Sequence, residues 1–182
     1  MIIQAENIRL QIPNLLLIAG NARNVGKTTL ACKIIRRFTS ETDVTGLKIT
    51  PHFHPVKNAD VVYKTDNFVI VNEKQFSNKD SSLMLQAGAK QVFFVMAKRE
   101  FYNEAVTRLL QLLPENLIVC ESGGLHEWVT PGLFFMVKLK DETIVKTHLL
   151  VHSPIIINND GQNFDFDINR LEFSNRKIII KN

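Results

Sequence analysis

Apolar positions along the chain fall into short unbroken runs, separated by segments in which they recur every three or four residues. Leu15–Ala19, Val44–Ile49, Gln91–Met96, Leu117–Cys120, Leu133–Leu139 and Pro154–Ile157 read as strands, and Phe68–Val71 as a further short one. Between them Leu30, Ala31, Ile34, Ile35 and Phe38 stand at helical spacing. Asp80–Ala87 reads as a short helix and Glu104–Leu113 as a helix ended by Pro114. Buried strands alternating with amphipathic helices predict an α/β fold: a mostly parallel sheet between helices, in three layers, with ligands at the carboxyl ends of the strands. Thr50–Asn67 breaks the pattern, being polar with two prolines and two histidines, and is expected to be a loop over the site. Asp165–Ile168 and Lys177–Ile180 allow either a short helix or an antiparallel hairpin.

One junction in this pattern carries chemistry. The run Leu15–Ala19 enters Gly20-Asn21-Ala22-Arg23-Asn24-Val25-Gly26-Lys27-Thr28-Thr29 and then the first helix. Strand, glycine-bounded loop and helix in this order make a phosphate-binding loop. Its backbone N–H groups turn around the phosphates, and the helix N-terminus adds its positive dipole end. Lys27 reaches the outer phosphates, and the Thr28 hydroxyl is placed to ligate Mg²⁺. The loop is a variant, because five residues separate Gly20 from Gly26 and Asn21 stands where a first glycine would fall. The expectation is a single-domain, three-layer phosphate-loop NTPase that binds ATP or GTP with Mg²⁺.

A magnesium shell also needs a carboxylate at a neighbouring strand end, and Glu121 follows Leu117–Cys120. Lys27 and Glu121 are therefore the catalytic candidates, and Thr28 and Glu121 the metal candidates. Gly123 and Gly124 would let the chain turn sharply and approach a phosphate. Lys48, at the end of its strand, is a candidate for a phosphate or an anionic substrate, or else a solvated lysine. Asn158 is a candidate for a nucleobase contact or the start of a turn with Asn159, Asp160 and Gly161. Asp43 and Asp60 are weaker candidates for the magnesium shell. His52 and His54 lack a third ligand of matching spacing and read as loop residues.

Composition narrows the picture further. The 182 residues suit one domain over 1–182, large enough to bury a sheet without disulfides or metal staples. A net charge of +4 is scattered in short pairs such as Arg36-Arg37, which reads as a solvated surface and gives no reason to expect a nucleic-acid partner. Cys32 and Cys120 lack C-x-x-C spacing and read as small buried hydrophobes. Met1–Asn7 has neither a basic region nor an apolar core, and no apolar run approaches the roughly 18 residues of a membrane span, so cytoplasmic location is the expectation.

Several segments taken together resemble a known family. The phosphate loop is followed by Gly46-Leu47-Lys48 with a histidine-bearing loop, then Lys79-Asp80-Ser81-Ser82-Leu83-Met84-Leu85-Gln86-Ala87-Gly88-Ala89, then Leu117–Glu121. Near the end stand Asn159-Asp160-Gly161 and Phe164-Asp165-Phe166-Asp167. This order resembles the molybdopterin-guanine dinucleotide biosynthesis protein B family and covers most of the chain. The resemblance implies a small, commonly dimeric protein of the signal-recognition/MinD/BioD branch of phosphate-loop NTPases. It further implies GTP binding and a protein partner in assembling the molybdenum cofactor. The spacing of the loop and Glu121-Ser122-Gly123-Gly124 is similar to dethiobiotin synthetases and cobyrinic-acid-type ligases. That likeness implies an ATP-dependent ligase of a small carboxylic acid, with Lys48 and the Gly123–Gly124 turn holding the second anion. The extra lysine that the branch carries early in its loop is absent. Ala22 and Arg23 occupy that stretch, so either Arg23 substitutes or hydrolysis is slow.

Overall fold

The computed structural model describes residues 9–57 and 60–181. Met1–Asn7, read above as lacking a targeting signal, and two residues of the 50–67 segment lie outside them. In chain order the elements are β1 (Leu10–Gly20), α1 (Lys27–Phe38), β2 (Val44–Thr50), β3 (Val61–Lys64), β4 (Phe68–Asn72), α2 (Asp80–Gln86) and β5 (Gln91–Ala97). There follow α3 (Tyr102–Leu110), β6 (Leu117–Ser122), β7 (Val129–Leu139), β8 (Ile155–Asn159), β9 (Leu171–Ser174) and β10 (Lys177–Ile180).

Eight strands form one sheet in the order β3-β4-β5-β2-β6-β1-β7-β8. The strands from β5 to β8 across this sheet are parallel to one another, whereas β4 runs antiparallel to β5 and β3 antiparallel to β4. Hydrophobic alternation divides the core into two layers. Leu16, Ile18, Leu117, Val119, Phe135 and Val137 meet α1 and α2 on one face. On the other, Leu15, Leu17, Leu47, Ile118, Cys120 and Met136 meet α3. The sheet thus lies between helices, an α/β architecture with a mostly parallel sheet as its pattern predicts. Both cysteines are buried and unpaired, and burial pushes each thiol above its ordinary range. Among the described residues no helix is long and apolar enough to cross a membrane.

Three boundaries differ from the sequence reading, each for a local reason. The segment 50–67 is not wholly a loop, because Val61–Lys64 pairs with β4 as the edge strand β3. With two of its four side chains exposed, an edge strand carries too weak an apolar signature to announce itself. Strands β1 and β7 begin at Leu10 and Val129, several residues before their apolar runs. Pro13 sits where the β1–β7 register shifts between Ile12 and Leu16, and Pro131 pairs with Ile12, so prolines interrupt the apolar pattern without ending the strands. Helix α3 stops at Leu110, and Leu112 closes a turn on the Leu109 carbonyl.

At the C-terminus the hairpin alternative holds for 177–180. β9 and β10 pair antiparallel through Asn175 and Arg176, both with left-handed backbone (φ 49° and 58°), and Leu171 and Ile178 are buried in the α1-side core. Asp165–Ile168 forms no strand, and Ile168–Arg170 makes a 3-10 turn capped by the Asp167 carboxylate.

Chain crossing is tightest where β7 passes the β1 bulge. A Cβ on Gly132 would stand 2.1 Å from the Pro13 carbonyl oxygen, a backbone atom that cannot swing aside. Gly132→Ala is expected to lower stability by about 2–3 kcal/mol, seen as a lower urea midpoint at unchanged slope. An unchanged midpoint would show that the bulge relaxes freely.

Candidate functional site

β2, β6 and β1 are sheet neighbours with one direction, so their carboxyl ends meet at the amino end of α1. Alternation then decides what projects there. Ile118 and Cys120 of β6 enter the α3-side core, which turns Glu121 to the α1 side. Leu47 and Ile49 do the same for β2, which turns Lys48 to the α1 side, and the register pairs Lys48 directly with Glu121.

The Lys48 Nζ lies 2.5 Å from Glu121 Oε1 and 2.8 Å from the Oδ2 of Asp80, the first residue of α2. The Thr28 hydroxyl donates to Glu121 Oε2 at 2.7 Å. Glu121 is only 2% exposed, so its carboxylate depends on these two donors. Burial by itself would lower the Lys48 pKa, yet Glu121 and Asp80 outweigh it and hold the ammonium above its ordinary value. For Asp80, burial acts upward, but the hydrogen bond and the positive charge of Lys48 bring its carboxyl below the ordinary range.

Asn24 and Gly26 adopt left-handed backbone, and Lys27 folds back so that its Nζ donates to the Ala22 carbonyl at 3.1 Å. Gly20 permits that fold, since a Cβ there would stand 2.6 Å from the Lys27 side chain. α1 starts without a side-chain cap and without an acidic residue in its first turn, leaving its first N–H groups and positive end to the loop. Burial lowers the Lys27 pKa. Glu121 opposes this, while Lys48 and Lys146 push the same way as burial. Lys146 comes from the β7–β8 connection, and its Nζ donates to the Gly20 carbonyl at 2.9 Å. Three ammonium groups therefore surround one loop, an arrangement that an anion would stabilise.

The other residues singled out from sequence take varied places. Asn21 is buried and acts as a clamp: its amide donates to the Thr143 carbonyl at 2.8 Å and its Oδ1 accepts from the Val145 and Lys146 N–H groups. Val25 is buried, and its carbonyl accepts from Asn159 Nδ2 at 3.0 Å. Arg23, Asn24 and Thr29 are exposed on the loop. Asn158 points its amide at Asp165, 2.6 Å away, so it is Asn159 that touches the loop. Asp43 lies at the opposite end of β2, paired with Lys90, which removes it from any magnesium shell here. The turn after β6 is made by the Ser122 hydroxyl, which accepts from the Gly124 and Leu125 N–H groups. Neither Gly123 nor Gly124 uses left-handed backbone.

Asp60 and His54 line a cavity of about 910 Å³ that begins at Lys48 and Asp80 and has Val71 and Phe94 among its walls. His54 stacks on Phe94, and His52 is exposed. Among the described residues no three His, Cys, Asp or Glu side chains are disposed to hold a metal ion by themselves. Sequence reasoning passed over Asp80, Lys146 and Asn159. Asp80 opens a helix whose position against β2 is set only by tertiary packing, and Lys146 lies in a connection with no periodicity.

No family model, curated protein or solved structure matches this chain.

The Lys48–Glu121 pair yields a test that needs no ligand. Lys48→Met is expected to destabilise the protein by about 3 kcal/mol, because it strands a buried carboxylate. Adding Glu121→Gln should restore part of that loss in a double-mutant cycle read by urea unfolding. Lys48 is held above its ordinary value of 10.5, so its contribution should be full below that pH and vanish only as pH rises through the higher folded value. Additive single and double mutants would mean that the contact carries no coupling.

Proposed function

We propose that this protein is a phosphate-loop NTPase that binds a Mg²⁺-nucleoside triphosphate, ATP or GTP, in the loop 20–29. The observation that carries this reading is the convergence of Lys27, Lys48 and Lys146 on a loop whose following helix has an uncapped, acid-free amino end. The donor set suits the metal: one hydroxyl from Thr28 and two carboxylates from Glu121 and Asp80, with phosphate oxygens and water to complete it. Lys48 now supplies the positive charge between those carboxylates. Bound Mg²⁺ would neutralise charge on the phosphates. The chain's own part is to hold the phosphates with Lys27 and backbone N–H groups, and to fix Glu121 beside Thr28, where it can orient a water.

Slow turnover fits this reading, since the donors already satisfy one another and Arg23 points to solvent. The biological role we propose is an accessory one in cofactor assembly of the molybdenum-cofactor kind, with a protein partner or a second copy responding to the bound nucleotide. The 910 Å³ cavity beginning at Lys48 supports a second reading, a ligase that activates a small carboxylic acid. Phosphate release stimulated by such acids would favour the ligase, and stimulation by a protein would favour the accessory role.

Lys27→Ala is expected to weaken nucleotide binding by roughly 10- to 100-fold in calorimetry, the size of lost charge-assisted hydrogen bonds, with the fold intact. Glu121→Gln should keep triphosphate binding and lose Mg²⁺ dependence and turnover. Parental binding in a folded Lys27→Ala protein would sink the phosphate-loop reading.

Residues 50–57, which border the cavity, should also gain hydrogen-exchange protection when Mg²⁺-nucleotide binds. Protection confined to 20–29 would separate the cavity from the nucleotide site.

A further inference from the structure

Away from the phosphate loop, on the α3 side of the sheet, two connections without helices meet. The 3-10 turn Leu125–Glu127 joins β6 to β7, and the 3-10 segment Thr147–His152 lies between β7 and β8. Their contact is a histidine cluster. The His126 ring stacks on Phe134 at 5.6 Å with only 9° between planes, meets the His152 ring edge-on at 4.8 Å, and lies 6.1 Å from His148. His126 is 1% exposed, and neither of its ring nitrogens has a hydrogen-bond partner among the described residues. An imidazole carries at least one N–H in every protonation state, so an unmade bond here is a standing cost that native interiors rarely tolerate.

Beside that ring lies a cavity of about 210 Å³, whose polar lining includes Arg9, Thr130, His152 and Ser153. At roughly 30 Å³ per water it has room for a small polyatomic ion with some hydration. Its electrostatics select the sign. Arg9 and Arg99 act on His126 from the cationic side. Among the described residues Glu127 is the carboxylate near it, with Oε1 3.9 Å from Nε2 and also 4.0 Å from Arg99. The Arg9 guanidinium donates to the His126 carbonyl at 3.1 Å and lies 2.6 Å from His152 Nδ1, where it would repel a metal ion.

We propose that this cavity is a binding site for a small oxyanion, phosphate- or carboxylate-like, held by the His126 imidazole together with the Arg9 guanidinium and His152. The unpartnered nitrogens of His126 then gain an acceptor, and the surplus positive charge gains its counterion. Without an anion, burial and the neighbouring cations hold His126 neutral, with its pKa lowered to about 4. Anion binding therefore takes up a proton, and affinity rises as pH falls from neutrality. The site also pins the β7–β8 connection, which carries Thr143, Val145 and Lys146 to the phosphate loop. None of this depends on the nucleotide reading.

The test uses histidine-labelled protein of residues 1–182 carrying Lys27→Ala, which weakens phosphate binding at the 20–29 loop so that the two sites separate in the titration. Inorganic phosphate and acetate are titrated separately at pH 6 and pH 8 while the imidazole resonances are followed. Saturable movement of the His126 ring toward its protonated position, tighter at pH 6, is the expected result. Movement with phosphate alone assigns a tetrahedral anion, and movement with both extends the site to carboxylates. His126→Phe, which keeps the ring shape, and Arg9→Gln should each weaken the phosphate-induced rise in thermal midpoint by roughly tenfold or more in apparent affinity. No saturable response to either anion, or equal affinity in both variants, would overturn the proposal and leave a water-filled cavity.

Discussion

A buried carboxylate must have its partners brought to it, and Glu121 sets that requirement for this fold. Its neighbours are fixed by sheet register and not by flexible reach. Lys48 stands opposite it on β2 and Ile18 opposite it on β1, while Thr28 arrives from the first turn of α1. A slip of one residue in β2 would send Lys48 into the α3-side core and leave Glu121 facing apolar side chains. The same register sets where Asp80 must start α2, because Lys48 bridges the two acids. Strand order, register and helix placement are thus coupled at a single cluster, and the loop 20–29 stands directly above it.

That coupling bears on the nucleotide binding proposed above. A pair satisfied inside the protein is a poor immediate ligand, since any incoming cation must compete with the Lys48 ammonium for Glu121 and Asp80. In the nucleotide complex proposed above, phosphates would offer Lys48 another anion and free carboxylate oxygens of Glu121 and Asp80 for the metal. Nucleotide and metal would then bind as one unit, each lowering the cost of admitting the other.

The sheet was legible in the sequence because it is buried on both faces, and burial writes continuous apolar runs. The strand–loop–helix junction at 20–29 was legible because Gly20 and Gly26 bound it and a helical apolar period begins just after Lys27 and Thr28. Glu121 could be placed because it ends such a run. What escaped notice is what packing alone decides. Asp80 gains its role from where α2 docks, and Lys146 from an irregular connection threaded back to Gly20. Asn158 and Asn159 are adjacent and chemically alike, so only the strand's facing could tell which one meets Val25 and which one meets Asp165. The edge strand β3 escaped for the opposite reason: half-exposed and short, it leaves almost no pattern.

The β7–β8 connection joins these themes. It lacks the helix that usually covers a parallel crossover, and it packs mainly through Leu149. A segment so lightly anchored would fray if nothing else held it. Beyond Leu149 and the half-buried Ile144, its ties gather at two places: Asn21 with Thr143, Val145 and Lys146 at one, and the cluster of His148 and His152 about His126 at the other. Loss of either tie removes much of what positions the other, because few apolar contacts lie between them. A change in the histidine cluster would thus have one route to the loop 20–29, the backbone that carries both ties.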